Sequence, residues 1–591
     1  MPGDDSHILL RAFCEELVRC GMTDACTSPG SRSSPLVLAL AREPGLRAWS
    51  HVDERCAGFF ALGAAKASGR PVAVACTSGT AAAELTPAVH EAREARVPLL
   101  VLTADRPAEL REVGAGQVID QVKLYGSAAK WFFEVGTHEA TPERLRWMRA
   151  LACRAYWAAL DGRPGVVHLN FPLREPLIPA AELPSDDSGR PDGAPMLGRA
   201  QADPLPVPHA LEEVVAAVEA RPRGVIVAGR WEHGRALGHA AAGLAETTGY
   251  PVLADPLSGA RLPGVACAHY DAILRDEGWA SSHAPELVIR VGDLPTSKPL
   301  RAWLAAAPGA VQLAIAADGV VQDPDGVVSL LLPADPAVTL AEINEHVERA
   351  PDAAWVEAWR RADEAAGGAM GEVLGGGGSD GTETGDGDGA GIEGAWSGLS
   401  EPLVAAELGR LLPSSATLVV ASSMPIRDVE TFFPARAEPP RVLSNRGANG
   451  IDGTVSTAFG VTAAGDGPVV LLIGDVALAH DMGGLLAASR LKLDITIVLL
   501  NNDGGGIFHF LPLARERDAF EEHVATPTGL DFSRAAALYG CAHRLVEGDF
   551  ETALREAIDA PGTAILEVRT DREANVALHR RVWDHVSAAL R

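Results

Sequence analysis

One carboxylate and one amide follow two neighbouring apolar segments in the last third of the chain. Asp475 stands just after the run 468–473, and Asn502 just after the next run, 495–500. If both runs are parallel strands, their carboxyl ends share one edge of the sheet, where ligands bind. The glycines that follow permit a tight turn, so Gly504 can add a backbone carbonyl. Such hard oxygen ligands suit Mg²⁺, although an ordinary strand-end Asp and a loop Asn explain the same residues.

A second candidate for chemistry is Glu54, at the start of a helical stretch that spans 56–68. This stretch is rich in Ala, Gly and Phe, which would surround the carboxylate with apolar groups. A carboxylate in an apolar pocket has a raised pKa and can share a proton with a neighbouring base. Taken alone, however, the triplet 53–55 is more typical of a solvated helix start.

A third set consists of cations in loop-like segments rich in Gly, Ser and Pro. Four of the five follow or closely flank a predicted strand, although any one of them alone could be an ordinary surface residue. Because a guanidinium binds a carboxylate through two parallel hydrogen bonds, the set indicates a substrate with several carboxylates. The five cations are Arg32, Arg106, Lys298, Arg427 and Arg446.

Short apolar strands must position these residues, and they alternate with Ala- and Leu-rich helical stretches. This alternation favours βαβ units, and continuous apolar runs are typical of buried parallel strands. We therefore expect an α/β fold of three doubly wound, mostly parallel sheets. The predicted strands span 71–75, 98–103, 166–170, 224–228, 251–254, 287–291, 310–315, 417–421, 442–444, 468–473, 495–500 and 564–568.

Two breaks in composition divide the chain. Residues 180–207 are rich in Pro, Asp and Ser, which is typical of a linker. The Gly-rich, acidic segment 367–397 cannot bury apolar area, so we expect it to be a disordered surface linker. The predicted domains are therefore 1–180, 205–350 and 400–591.

The overall composition excludes several classes of function. The 591 residues carry 51 Lys and Arg against 78 Asp and Glu, a net charge of −27, which speaks against nucleic acid as a partner. We see no apolar run long enough to span a membrane and no basic leader at the acidic N-terminus, so we expect a cytoplasmic protein. The eight scattered cysteines lack metal-ligand spacing and are expected to be buried thiols. Only five cations are Lys, which fits either a high-salt habitat or a genome that favours Arg codons.

Together these segments resemble the thiamine-diphosphate-dependent 2-oxoacid decarboxylase superfamily, and within it the branch that serves menaquinone biosynthesis. The Gly-Asp pair with an Asn after the next strand is similar to the diphosphate–metal motif of the superfamily, although Val476 replaces its usual glycine. Segments in the same order as in that branch are SPGSRSSPL, TADRP, AGQVIDQ, SNRGANGIDGTVSTAFG and NNDGGGIF.

The resemblance implies an assembly, a cofactor and a reaction. A pyrimidine-binding, a central and a diphosphate-binding domain would follow one another, with thiamine diphosphate between two subunits of a homodimer or homotetramer. Mg²⁺, or Mn²⁺, would hold the diphosphate. The implied transferase reaction decarboxylates 2-oxoglutarate and adds the resulting succinic semialdehyde carbanion to isochorismate in a 1,4 sense. The cofactor would supply the carbanion chemistry, and the protein would supply orientation and charge.

The resemblance also implies a role for each candidate residue. Glu54 would activate the cofactor, and Asp475, Asn502 and Gly504 would bind the metal. Further cofactor contacts would be Ser423, Ile451, Gly474, Asp475, Ile507 and Phe508. Isochorismate would contact Ser31, Arg32, Arg106, Gln117 and Lys298, and the carboxylates of 2-oxoglutarate would contact Ser423, Arg427 and Arg446. The implied catalytic set is Glu54, Arg32, Arg106, Gln117, Lys298, Arg427 and Arg446.

Two other hypotheses remain open at this point. The chain could be a different thiamine-diphosphate decarboxylase or carboligase that acts on another 2-oxoacid. It could also be a non-catalytic protein that binds the cofactor. The retention of Glu54 and of every metal-ligand type favours an enzyme.

Overall fold

Three six-stranded sheets follow one another along the chain, and every strand pair in them is parallel. The computed structural model describes residues 4–179, 182–200, 204–232, 234–307, 309–320, 322–375 and 398–591. The prediction of an α/β fold with three parallel sheets is confirmed. All twelve predicted strands are present, each within two residues of its predicted ends.

The strands of the first sheet are β1 Asp24–Thr27, β2 Arg47–Ser50, β3 Val72–Cys76, β4 Leu99–Asp105, β5 Ala129–Glu134 and β6 Val166–Pro172. Those of the second are β7 Gly224–Ala228, β8 Val252–Ala254, β9 Ala266–Cys267, β10 Leu287–Val291, β11 Val311–Ile315 and β12 Leu330–Leu332. Those of the third are β13 Thr417–Val420, β14 Arg441–Ser444, β15 Val469–Gly474, β16 Thr496–Asn501, β17 Ala542–Leu545 and β18 Ala564–Arg569.

The first and third sheets share one topology. Their orders are β2-β1-β3-β4-β6-β5 and β14-β13-β15-β16-β18-β17, while the second sheet has the order β12-β11-β10-β7-β8-β9. In such sheets ligands bind beyond the carboxyl ends of the strands, at the point where the strand order reverses. These points lie between β1 and β3, between β7 and β10, and between β13 and β15.

The helices connect the strands and cover the sheets. In the first third they are α1 Asp5–Arg19, α2 Ser34–Arg42, α3 Glu54–Ser68, α4 Thr80–Glu84, α5 Thr86–Ala95 and α6 Pro142–Leu160. In the middle they are α7 Pro208–Glu219, α8 Ala236–Thr248, α9 Tyr270–Ile273, α10 Glu277–Ser282, α11 Lys298–Ala305, α12 Pro336–His346 and α13 Ala353–Gly375. In the last third they are α14 Glu401–Leu411, α15 Met424–Phe432, α16 Thr454–Ala464, α17 Asp475–His480, α18 Leu486–Leu491, α19 Arg517–Phe520, α20 Phe532–Tyr539, α21 Phe550–Asp559 and α22 Arg572–Ala589.

Apolar cores lie on both faces of every sheet and join the sheets to one another. One core combines a face of the first sheet with a face of the third, through Val74 and Leu471 for example. Another combines the opposite face of the third sheet with a face of the second, through Leu472 and Val225. The third sheet therefore lies between the other two, so residues at its carboxyl edge can meet groups from both.

The prediction of a disordered linker over 367–397 is wrong for residues 367–375, which form the last two turns of α13. Ala366, Ala369, Met370 and Val373 repeat at helical spacing and are buried, and α13 packs along α22. Burial of this apolar stripe outweighs the low helix propensity of the glycines. Residues 376–397 lie outside the described residues.

The other expectations from composition have clear outcomes. All eight cysteines are buried and unpaired, as predicted. No helix in the described part of the chain is long and apolar enough to cross a membrane. Residues 182–200, within the predicted linker, form no helix or strand, and Asp186 pairs with the buried Arg149 of α6 at 2.7 Å. The division of the chain into three domains at the stated boundaries stays a prediction.

Candidate active site

The three residues predicted to bind a metal lie together at the carboxyl edge of the third sheet. Asp475 follows β15 as the first residue of α17 and is 1% exposed. Its Oδ2 accepts a hydrogen bond of 2.8 Å from the backbone N–H of Gly504. Gly504 has a φ of +141°, and a Cβ there would lie 2.7 Å from the carbonyl oxygen of Ala525. Only glycine therefore fits this turn, which brings the loop after β16 against Asp475.

The amide of Asn502 supplies the clearest sign of a missing partner. Its Nδ2 donates to Oε1 of Glu401 at 2.8 Å, whereas its Oδ1 is buried without a hydrogen-bond partner among the described residues. A buried polar atom without a partner is costly, so an unpaired amide oxygen beside a carboxylate fits a bound cation. The described residues contain no cluster of three or more His, Cys, Asp or Glu that could hold a metal, so amide and carbonyl oxygens must complete this site.

The electrostatics at the carboxyl edge of the third sheet also favour a bound cation. Burial raises the pKa of Asp475 to about 6, and the carboxylate of Asp503 adds to the rise. A divalent cation would offset both the desolvation and the repulsion, since it favours the ionised carboxylate. Asp503 therefore strengthens the field that attracts a cation at this edge of the sheet.

Glu54 is the first residue of α3, directly after the β2 edge strand. The carboxylate of Asp53 caps the helix by accepting from the backbone N–H of Cys56 at 3.2 Å. Burial raises the pKa of the half-buried Glu54, and the nearby Asp53 and Glu84 add to the rise. These are the properties that a proton-sharing carboxylate needs.

A close helix crossing holds the start of α3 against the third sheet. A Cβ on Gly63 of α3 would lie 2.0 Å from the carbonyl oxygen of Thr457 in α16, and a Cβ on Gly460 would lie 2.0 Å from that of Phe60. At the other end, Arg55 donates to the carbonyl of His480 at 3.2 Å. The small residues thus let the backbones of α3 and α16 touch, which places Glu54 beside the segment that follows Asp475.

Four of the residues assigned to isochorismate form a first cationic cluster at the carboxyl edge of the first sheet. Arg106 donates to the backbone carbonyl of Gln117 at 3.0 Å and to the hydroxyl of Ser78. Arg32 donates to the carbonyl of Leu173 at 2.9 Å. Burial lowers the pKa of Arg106, and the nearby charge of Arg32 lowers it further. We define the first cationic cluster as Ser31, Arg32, Arg106 and Gln117.

A second cationic cluster lies at the carboxyl edge of the third sheet and consists of Arg427 and Arg446. Ser423 directly precedes α15 with a φ of +77°, a rare conformation for a serine, and its carbonyl accepts from Arg427 at 2.5 Å. Burial lowers the pKa of both arginines, and Arg427 also lowers that of Arg446. Neither guanidinium hydrogen-bonds to a described carboxylate, although Asp428 and Asp271 lie near Arg427, and Asp255 and Glu91 near Arg446.

Arg446 also borders a cavity of about 550 Å³ where the second and third sheets meet. The cavity is lined by Arg230 and Asp293 from the second sheet and by Gly447 and Asn449 from the third. Arg446 therefore borders open space large enough for a small ligand, whereas Arg427 does not line this cavity.

Lys298 has no described contact with either cationic cluster, but the residue before it is linked to α15, the helix that carries Arg427. It is exposed at the start of α11, and the neighbouring Ser297 donates to Asp271 at 2.6 Å. Thr431 of α15 donates to the same carboxylate at 3.0 Å. No described hydrogen bond or ion pair links the first cationic cluster to Lys298, Arg427 or Arg446 in one chain. The structure thus brings the predicted substrate residues together as two separate groups.

The remaining predicted cofactor contacts surround the metal edge. Gly474 ends β15, and Ile451 packs against the apolar core shared by the first and third sheets. Ile507 and Phe508 are half-buried in the short helical turn that follows the metal-binding loop. They present apolar side chains next to the polar edge.

Sequence reasoning did not predict the helix carboxylates that hold the loops at the carboxyl edge of the third sheet. Glu91 of α5 accepts from the backbone N–H groups of Gly447 at 2.8 Å and Ala448 at 2.6 Å, which anchors the loop that carries Arg446. Glu401 was also missed, although it contacts Asn502. A single acid in a helix has no pattern that distinguishes it from a solvated one. Ser78, whose hydroxyl accepts from Arg106, was also not predicted, and the one available signal for it was the TSGT segment after β3.

Comparisons with known proteins agree with this geometry. The family described as Thiamine pyrophosphate enzyme, N-terminal TPP binding domain, matches residues 9–124, and its C-terminal TPP binding domain counterpart matches residues 427–568. A structure described as a thiamin diphosphate-dependent enzyme from Mycobacterium smegmatis has a TM-score of 0.66 at 20% identity, over 95% of this chain and 99% of that one. The fold and both domain matches define a thiamine-diphosphate-dependent enzyme.

Curated relatives narrow this class. The 2-succinyl-5-enolpyruvyl-6-hydroxy-3-cyclohexene-1-carboxylate synthase of Geobacillus kaustophilus is 42% identical, over 99% of this chain and 98% of its own length. The synthases of the same name from Chloroflexus aurantiacus and Myxococcus xanthus are 44% and 43% identical, each over 98% of this chain and over 96% and 97% of their own lengths. The chain belongs to the family of 2-succinyl-5-enolpyruvyl-6-hydroxy-3-cyclohexene-1-carboxylate synthases.

Proposed function

We propose that the chain catalyses the thiamine-diphosphate-dependent and Mg²⁺-dependent joining of 2-oxoglutarate to isochorismate. The reaction releases CO₂ and forms 2-succinyl-5-enolpyruvyl-6-hydroxy-3-cyclohexene-1-carboxylate. The observation that carries the proposal is the second cationic cluster beside the predicted metal edge. Two half-buried guanidiniums without a described carboxylate hydrogen-bond partner suit a dicarboxylic donor, whereas a monocarboxylic donor such as pyruvate would leave one of them unpaired.

The residues of the metal edge would bind the cofactor through its diphosphate. Asp475, Asn502 and Gly504 would hold Mg²⁺ between them and the diphosphate oxygens, and Mn²⁺ could take the same place. When bound, thiamine diphosphate supplies the electron sink that decarboxylation needs. Ile451, Ile507 and Phe508 would provide an apolar wall that excludes water from the reacting atoms.

Each polar group has one task in this proposal. Glu54 holds a proton at its carboxyl group and shares it with the aminopyrimidine ring, for which a raised pKa is suited. Arg427 and Arg446 bind the carboxylates of 2-oxoglutarate, with Ser423 beside them. Lys298 and the first cationic cluster bind isochorismate and orient it for addition.

The proposal includes an assembly of at least two copies. Because the first cationic cluster has no described link to Lys298 or to the second cationic cluster, a second chain would complete the isochorismate site. In this assembly residues 1–180 bind the pyrimidine, 205–350 form the central domain and 400–591 bind the diphosphate. A cytoplasmic location is part of the proposal, since the relatives are bacterial synthases.

Product analysis tests the proposed function. The chain is incubated with thiamine diphosphate, Mg²⁺, isochorismate and 2-oxoglutarate that carries ¹³C in its 1-carboxylate, and gas and product are followed by mass spectrometry. We expect labelled CO₂ and an adduct that retains the four remaining donor carbons. Equal or better turnover of pyruvate, with no adduct of isochorismate, would favour a different thiamine-dependent carboligase. Cofactor binding without turnover of any 2-oxoacid would refute an enzymatic role.

A further inference from the structure

Glu401 lies directly behind the predicted metal ligand Asn502. It is the first residue of α14 and is 1% exposed. One of its oxygens, Oε1, accepts from Asn502 Nδ2 at 2.8 Å and from Thr570 Oγ1 at 2.9 Å. This buried carboxylate therefore contacts a predicted metal ligand through the amide nitrogen and not through the amide oxygen.

The chemistry of the contact fixes the orientation of the amide. An ionised Glu401 can only accept hydrogen bonds, so it requires the NH₂ group at the end of Asn502 that faces it, and Nδ2 is the atom found there. The other end, Oδ1, is then the one that stays buried without a described partner. A reversed amide would place two acceptor oxygens against each other and would turn NH₂ toward the cation. Both contacts would be repulsive.

The surroundings leave the amide little freedom. A Cβ on Gly506 would lie 2.7 Å from Asn502 Nδ2, so the loop backbone closes over the NH₂ group. Glu401 is itself held by Thr570, and Asp428 with its partner His579 lies on its other side. His579 and Oδ1 of Asp428 are hydrogen-bonded at 2.8 Å, and no described hydrogen bond joins this pair to Asn502.

We propose that Glu401 is a positioning residue that selects which atom of Asn502 faces Mg²⁺. The inference rests on the metal site of the proposed function and adds to it the group that pre-orients the amide oxygen. Groups that hydrogen-bond to metal ligands from behind typically change metal affinity by about 10–100-fold when they are removed.

Calorimetry of Mg²⁺ binding in the presence of thiamine diphosphate provides the test, because it needs no turnover. In Glu401→Leu the acceptor is lost, and we expect the Kd for Mg²⁺ to rise at least about 10-fold. Glu401→Gln keeps an acceptor oxygen for Asn502 and should stay within about threefold of the unaltered chain. Glu407→Leu, the same change at a partly exposed position of α14 that pairs with Arg410 at 2.7 Å, is the matched control and should not change the Kd.

A merely structural role gives a different result. Glu401→Leu would then lower the thermal midpoint without Mg²⁺ and weaken binding no more than Glu401→Gln does, and that outcome would overturn the inference. Saturating Mg²⁺ should return kcat of Glu401→Leu to within about threefold, because the reacting groups are intact.

A second pair of variants keeps the inference testable if Glu401→Leu does not fold. Asn502→Asp sets two carboxylates against each other and should bind Mg²⁺ poorly. Adding Glu401→Gln restores a donor–acceptor contact and should recover at least about fivefold in Kd. No recovery would contradict the inference. If Mg²⁺ binding depends on Glu401 but isochorismate is not consumed, the proposed function fails and the inference stands. If the unaltered chain binds no Mg²⁺ in the presence of the cofactor, both are refuted.

Discussion

A carboxyl group with a raised pKa is the central requirement at the residue scale. Glu54 meets it because burial, Asp53 and Glu84 all raise its pKa. In Glu54→Gln we expect CO₂ release from 2-oxoglutarate to fall at least about 100-fold, since proton sharing contributes roughly 10²–10⁴ in rate. The Kd for thiamine diphosphate with Mg²⁺ should change less than about fivefold.

The matched control for this variant is Glu84→Gln, which removes an exposed neighbouring carboxylate. It should retain most of the activity, and the limb of the pH profile that reports the ionisation of Glu54 should move to lower pH, because one cause of the raised pKa of Glu54 is gone. Glu54→Gln with more than about a tenth of normal activity would refute the assigned role.

A buried histidine sets a pH limit on the first sheet. His168 in β6 is 0% exposed, and burial lowers its pKa to about 3, whereas the unfolded chain takes up the proton near 6.5. Because the unfolded state binds this proton first, the contribution of His168 is fully present above pH 6.5 and is lost as the pH falls toward 3. The loss is at most about 1.4 kcal/mol per pH unit.

Thermal midpoints at about pH 7.5 and about pH 5 measure this loss. The fall between the two pH values should be smaller in His168→Leu than in the unaltered chain. His90→Leu, at an exposed position, should show the unaltered fall. An equal fall in all three would mean that His168 does not carry this pH dependence.

The residue scale also shows what the sequence could predict of the site. Asp475 and Asn502 were predictable because a polar residue after an apolar strand has a known place, the carboxyl edge of a parallel sheet. Glu401 and Glu91 were not, because they come from helices far away in the chain and only tertiary packing brings them to the site. The individual site roles stay predictions until the variants are measured.

At the element scale, the predicted strands were those with continuous apolar runs. Five of the six strands that the sequence did not reveal are sheet edges, namely β2, β5, β9, β12 and β17. β2, with the sequence RAWS, is mostly exposed and mixes polar and apolar residues, whereas β9 and β12 are only two and three residues long. The sixth, β1, is fully buried. It was not predicted because it is only four residues long and begins with Asp.

The crossing of α3 and α16 is the element-scale feature that positions Glu54. In Gly63→Ala the new methyl group would meet the carbonyl of Thr457 at 2.0 Å, so the two helices must move apart. We expect a loss of about 1–3 kcal/mol in stability and a lower thermal midpoint.

A matched glycine on another helix provides the control. Gly371 of α13 is exposed, and a Cβ there would meet no atom within 4 Å. Gly371→Ala should therefore leave the midpoint unchanged or raise it, because the higher helix propensity of Ala can add up to about 1 kcal/mol to the free energy of unfolding. A Gly63→Ala variant as stable as the unaltered chain would show that the crossing is looser than described.

At the scale of the whole molecule, three sheets place their points of strand reversal near polar clusters. The first cationic cluster follows β1 and β4, whereas the second follows β13 and β14. One chain contains both clusters but does not join them by any described contact. According to the proposal, a second copy of the chain therefore brings the two cationic clusters together in one site.

Mixing two variants tests this requirement. Arg106→Leu impairs the first cationic cluster and Arg427→Leu the second, and each alone should have at most a few per cent of normal kcat/KM. When the two are mixed and allowed to exchange subunits, a site between chains can combine the two intact halves and recover about a quarter of normal activity. If each chain forms its own site, every site keeps one defect and mixing restores nothing.

The most direct test of the proposed reaction is the loss of isochorismate absorbance in the presence of 2-oxoglutarate, thiamine diphosphate and Mg²⁺. We expect loss only when all of these components and the chain are present, and no loss with Glu54→Gln. Isochorismate that stays unchanged in the complete mixture, with the cofactor shown by calorimetry to be bound, would contradict the proposed reaction.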